Sequence, residues 1–104
     1  MGSRKVGVIG AGGMGREHSD AWRSLGVPVT IYSRTESARR ALAEQTGGAA
    51  AESLDALLSE VDIVDICTPT DTHADLIRKA AATRRHVICE KPLARTVADA
   101  VDVI

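Results

Sequence analysis

Gly10-Ala11-Gly12-Gly13-Met14-Gly15 forms a G-x-G-x-x-G run between a short valine-rich segment and an amphipathic one. At a strand-to-helix junction this spacing has a mechanism. Gly10 permits the tight turn, Gly12 lets a pyrophosphate approach the backbone, and Gly15 lets the helix pack close to the strand. The helix N-terminus then offers unpaired N–H groups and a partial positive charge to an anion. That chemistry is dinucleotide binding. Methyltransferases also place a glycine loop after a first strand, and the same run admits that second reading.

The adenosine ribose of a dinucleotide should meet the end of the second strand, where an NAD site commonly carries Asp or Glu. Here that strand ends Tyr32-Ser33-Arg34-Thr35, and Glu36 is the nearest carboxylate. Arg34 can pair with a 2′-phosphate through two N–H bonds, and Ser33 and Thr35 can donate more. The expected cofactor is therefore NADP(H) in preference to NAD(H). The competing reading is a solvated Arg34. Arg39 and Arg40, next on the following helix, read as a wet face.

The elements that must position these groups alternate. Lys5–Ile9 reads as a buried strand. A helix follows with the stripe Met14, His18, Ala21, Trp22, Leu25, and Gly26 ends it. Val27–Tyr32 is a second strand. Glu36–Gln45 is a helix with the face Ala38, Ala41, Leu42, stopped by Gly47-Gly48. Ala49–Ala51 is a weak edge strand. Ser53 caps a short helix carrying Leu54, Leu57 and Leu58. Val61–Cys67 is a strong strand. Thr72-His73-Ala74-Asp75 has capping-box spacing before a helix whose core face is Ile77, Ala80, Ala81. His86–Cys89 is a further strand, and Thr96-Val97-Ala98-Asp99 repeats the capping-box spacing. Near-continuous apolar strands alternating with helices predict an α/β fold: a doubly wound parallel sheet with right-handed crossovers and strand order 3-2-1-4-5.

Four further residues need an account in such a sheet. His18 reads as a satisfied core histidine. Asp65 is mid-strand, so it is structural and needs a partner. Cys67 and Cys89 end neighbouring strands ~4.8 Å apart. They read as two buried thiols rather than a redox pair.

Composition limits the rest. The 104 residues are 44% hydrophobic and 26% charged, ordinary for one globular domain. With net charge −1 and only Trp22 and Tyr32 as aromatics, no basic or aromatic-rich face suggests nucleic acid. No apolar run approaches the ~20 residues of a membrane span. Two cysteines make neither a disulfide framework nor a zinc motif, and Met1-Gly2-Ser3-Arg4-Lys5 lacks a signal-peptide layout, so the expected compartment is the cytoplasm.

Two more segments fall beyond the carboxyl ends of strands, where ligands bind in open α/β sheets. They are Cys67-Thr68-Pro69-Thr70-Asp71-Thr72-His73 and Cys89-Glu90-Lys91-Pro92. With the glycine loop, and with Asp62 leading into Thr68-Pro69, they resemble the N-terminal Rossmann domain of the Gfo/Idh/MocA oxidoreductases. The resemblance runs from Lys5 to Ile104, so residues 4–104 are expected to form one dinucleotide-binding domain. It implies hydride transfer between a nicotinamide cofactor and a sugar, polyol or related hydroxyl or carbonyl substrate. It places Lys91 by the nicotinamide ribose as the catalytic residue, Glu90 at the same end, and Thr68-Pro69 alongside the cofactor. It also implies a cis Lys91–Pro92 peptide. His73, on the first turn of a core-facing helix, has two readings: a core residue, or a cofactor neighbour.

The chain departs from the family in two respects. It carries neither the sixth strand nor the second, substrate-binding α/β domain, so the 104 residues alone are expected to bind cofactor without efficient turnover, and the open sheet edge predicts self-association. Arg84 stands where relatives usually place a glycine in left-handed conformation. A non-catalytic nucleotide-binding module is the alternative function, and Glu90-Lys91-Pro92 argues against it.

Overall fold

The computed structural model describes residues 4–89, 91 and 94–104. Glu90 and Pro92, and with them the expected cis peptide, lie outside the described residues. The strands are β1 (Val6–Ile9), β2 (Val29–Tyr32), β3 (Ala49–Ala50), β4 (Ile63–Ile66) and β5 (His86–Cys89). The helices are α1 (Gly13–Ser24), α2 (Glu36–Thr46), α3 (Leu54–Glu60), α4 (His73–Ala82) and α5 (Val97–Val103). The sheet order is β3-β2-β1-β4-β5. Every pairing is parallel. This is the expected doubly wound topology.

Helices cover both faces, so β1 is buried at all four positions. Val6, Val8, Val29 and Ile31 pack with Leu42 and Ala43 of α2 on one face. Ile9, Val64 and Ile66 pack with Leu57, Leu58, Ile77 and Ala80 on the other. Each Val, Leu or Ile among them contributes about 1.5–3 kcal/mol on full burial. The same alternation separates the cysteines. Cys89 pairs in register with Ile66 and packs on the α3–α4 face. Cys67, one residue on, packs on the α1–α2 face. Although their strands are neighbours, the two thiols stand on opposite faces of the sheet.

Three helix faces differ from the expected stripes. On α1, Met14 and Leu25 are 42% and 73% exposed, and the buried residues are Gly15 and Ser19. Ala21 is exposed too. Close approach of helix to sheet selects small residues, and Ser19 hides its hydroxyl by donating to the Gly15 carbonyl at 2.6 Å. On α2, Leu42, Ala43 and Thr46 are buried, and Ala41 is exposed. On α4, Ala81 is exposed, while Ile77 and Ala80 are buried as expected.

Caps divide the same way. Ser53 Oγ accepts from the Ala56 N–H, and Thr96 Oγ1 accepts from the Asp99 N–H, each at 3.1 Å. Thr72 does not cap α4. A single 3-10 turn, Thr70–Thr72, precedes that helix, and Thr72 Oγ1 donates back to the Pro69 carbonyl at 2.7 Å. At the end of the chain, Arg78 of α4 holds α5 by donating to Asp102 and Asp99 at 2.8 and 3.0 Å. These two carboxylates raise the guanidinium above its ordinary pKa.

Arg84 adopts the left-handed conformation its position requires, with φ 59°. The turn is therefore the expected one, made without glycine. An L side chain there costs about 1 kcal/mol. Arg84→Gly is expected to raise the melting temperature by about 4–8 °C. A calorimetric melt showing no rise would mean that Arg84 contacts offset the strain.

Candidate functional site

Because every strand is parallel, all carboxyl ends open on one edge. A cleft of about 710 Å³ lies there, floored by Ile9, Ala11 and Gly12. It sits where the strand order reverses, between β1 and β4, which is where open α/β sheets bind ligands.

The glycines act at three distinct points. Gly10 has φ 113°, and a Cβ there would come within 2.6 Å of the Cys67 carbonyl oxygen. Its N–H donates to the Tyr32 carbonyl at 2.8 Å, tying the loop to β2. A Cβ on Gly15 would overlap the Gly10 carbonyl oxygen. A Cβ on Gly12 would meet nothing within 4 Å, so its missing side chain serves no packing inside the domain. Gly12 is also the N-cap of α1, with no side-chain cap and no acidic residue in the first turn. Gly13 and Met14 are exposed beside it. The unpaired N–H groups and the dipole of a 12-residue helix therefore face the cleft with no acidic residue in the helix's own first turn to compete.

One wall is the end of β2. Ser33, Arg34 and Thr35 all line the cleft. Ser33 Oγ donates to the Thr35 carbonyl at 2.9 Å, which folds the turn back on itself. Thr35 N-caps α2 without using its side chain. Glu36 turns its carboxylate to Arg39 and Arg40, at 3.6 and 3.8 Å. Arg39 is not a wet-face residue: its side chain is only 11% exposed.

The opposite wall is the loop after β4. Thr68 and Pro69 line the cleft together with Asp71, Asp75 and Lys79. Asp71 lies in the segment that the sequence places at this edge, Asp75 enters the sequence reading only as part of a capping box, and Lys79 is not singled out there. The signal was topological, because the first turns of the helix after β4 must face the same edge. Thr68 Oγ1 and Thr72 Oγ1 share a hydrogen bond at 2.6 Å. His73 is 2% exposed and is not among the cleft-lining residues. Its Nε2 donates to the Thr68 carbonyl at 2.8 Å, so it holds the loop from behind. Lys91 is exposed and follows β5 at the same edge of the sheet. Glu90 lies outside the described residues.

Beneath the loop, Asp65 is 1% exposed and finds its partners on α1. The Trp22 indole Nε1 donates to it at 2.8 Å, and His18 Nδ1 lies 2.9 Å from both carboxylate oxygens. His18, Asp65 and Cys67 bring atoms of metal-ligating type within 4.8 Å of one another. Both Asp65 oxygens are already engaged by His18, one of them also by Trp22 and the other by the Cys67 thiol at 3.6 Å. The group is a hydrogen-bonded lock between β4 and the glycine-loop helix.

A parallel sheet whose first strand ends in this loop, with the cleft at the reversal of strand order, defines a dinucleotide-binding domain. The chain belongs to the Gfo/Idh/MocA oxidoreductase family: residues 4–104 match its NAD-binding Rossmann fold. It is 36% identical over 93 residues to the inositol 2-dehydrogenase of Rhizobium meliloti, covering 86% of this chain and 28% of that protein. It superposes on the UDP-N-acetylglucosamine 3-dehydrogenase GnnA of Acidithiobacillus ferrooxidans with TM-score 0.91 and 31% identity, over 99% of this chain and 34% of that one. GenD2 of gentamicin A biosynthesis, solved in complex with NAD, gives TM-score 0.87 and 28% identity, over 99% and 31% of the two chains. The chain thus spans about 28% of the length of the curated relatives it matches. Among the described residues, no helix is long and apolar enough to cross a membrane.

Proposed function

We propose that this chain is the cofactor-binding domain of an oxidoreductase that moves a hydride between NADP(H) and a sugar, polyol or related hydroxyl or carbonyl substrate. Its relatives named for inositol and UDP-N-acetylglucosamine dehydrogenases support the substrate class. In this reading the Gly12–Gly15 helix start takes the pyrophosphate, and Thr68-Pro69 flanks the nicotinamide half. Lys91, at the carboxyl edge, positions the reacting hydroxyl and assists its proton. Substrate contacts come from chain beyond the nucleotide domain.

One observation carries the cofactor preference. The end of β2 offers the cleft Ser33, Arg34 and Thr35, while the nearest carboxylate, Glu36, is drawn away by two arginines. None of the side chains of Ser33, Arg34 and Thr35 repels a 2′-phosphate, and Arg34 supplies a planar fork for it. Calorimetric titration at low salt should show tighter binding of NADP⁺ than of NAD⁺. Arg34→Asp should weaken NADP⁺ roughly a hundredfold, equivalent to about 2.7 kcal/mol, and leave NAD⁺ nearly unchanged. Equal binding of the two cofactors by the unmodified chain would make Arg34 a solvated residue and remove the preference.

A further inference from the structure

Arg39 does not line the cleft, yet its side chain is bonded to the turn that follows β2. Its Nη1 donates to the Ser33 carbonyl at 3.0 Å. Its Nη2 donates to the Glu52 carbonyl at 3.4 Å, across the segment that follows β3. The guanidinium lies 5.3 Å from the centroid of the Tyr32 ring, within cation–π range. One mostly buried side chain therefore ties the last residue of β2, the turn after it and the chain beyond β3 into a single unit.

We propose that Arg39 is a positioning residue. It fixes the Ser33–Thr35 turn so that Arg34 and Thr35 present their donors to the adenosine ribose, and it thereby sets the discrimination between NADP⁺ and NAD⁺. The discrimination rests on the cofactor reading above; the fixing of the turn does not. The assignment needs arginine specifically. Two carbonyls on separate segments and an aromatic face must be met at once, which a planar fork with five donors can do. A lysine ammonium has three donors but on a single nitrogen, so it cannot reach both carbonyls from separate atoms while lying flat over the ring. Arg39 thus differs from a residue that merely adds positive field near a phosphate, for which lysine would substitute.

The test uses Arg39→Lys and Arg39→Gln on the full chain, with two readouts. Titration with NADP⁺ and NAD⁺ gives the affinity ratio, and amide hydrogen exchange gives the local order of the turn. Both variants are expected to lower the NADP⁺/NAD⁺ ratio about tenfold. Both should also speed exchange at residues 33–36 about tenfold, with the amides of β1 and β4 unchanged, which shows that the sheet is intact. Should Arg39→Lys keep the ratio and the exchange of the unmodified chain, the residue acts by charge and the assignment fails. Equal weakening of both cofactors with unchanged exchange at 33–36 also overturns it. If the unmodified chain shows no preference for NADP⁺, the cofactor reading alone falls, and Arg39 then stands or falls on the exchange of the turn.

Discussion

Gly15→Ala is expected to lower the melting temperature by about 15 °C. The new Cβ would overlap the carbonyl oxygen of Gly10 and lie 3.8 Å from the Cys67 Cβ. A backbone oxygen cannot swing aside, so α1 must lift from β1 or the glycine loop must shift. Forced overpacking of this kind costs about 3 kcal/mol or more, and a domain of this size loses about 4–8 °C per kcal/mol. Gly12→Ala, three residues away, is the informative contrast. Its Cβ meets nothing within 4 Å, and the backbone there, at φ −84° and ψ −162°, is open to any residue. That variant should melt within about 2 °C of the unmodified chain. It should nevertheless lose dinucleotide affinity at least roughly a hundredfold, because the methyl occupies the path of the pyrophosphate. Thermal melts and calorimetric titration separate the two. A Gly12→Ala chain that binds normally would show that the cofactor does not cross the loop at Gly12.

Asp65→Ala should destabilise the domain by about 3 kcal/mol, read from a urea titration. The carboxylate is 1% exposed and accepts from Trp22 Nε1 at 2.8 Å and from His18 Nδ1 at 2.9 Å. Removing it leaves two half-buried N–H donors facing an apolar strand, and each costs the desolvation of an unpaired group. Trp22→Phe should cost roughly 1 kcal/mol for its lost hydrogen bond, because the carboxylate keeps His18. A loss for Asp65→Ala below about 0.5 kcal/mol would mean that water replaces the carboxylate, and that the lock contributes little.

The sheet order was readable because its strands are short apolar runs punctuated by glycine, and alternation with helices admits few topologies. The glycine loop was readable because its mechanism lies in local spacing. Helix faces were less so. Counting large apolar residues put Met14 and Leu25 toward the core of α1, but the sheet takes Gly15 and Ser19. Periodicity weighs size, and close approach rewards its absence. The partners of Asp65 were hidden by separation of 43 and 47 residues along the chain. A signal for them did exist. His18 and Trp22 are four apart on one helix face, both carry N–H donors, and a lone carboxylate sits in an apolar strand. Arg39 was misread for a related reason: adjacent arginines on a helix look alike in sequence, and only the fold decides which of them turns inward.

The seat of the glycine loop is made by residues that come much later in the chain. Gly10 abuts the Cys67 carbonyl, the Cys67 N–H bonds the Ile9 carbonyl at 2.8 Å, and Asp65 anchors α1. The seat of the loop is therefore absent from any intermediate in which only the first two strands have paired. A dinucleotide gives no help to early folding and acts only on the assembled sheet, as a ligand that binds the native state alone. At a hundredfold excess over its Kd it would add about 2.7 kcal/mol to the unfolding free energy. A domain carrying a strained turn at Arg84 would thus gain more from a bound dinucleotide than that turn costs.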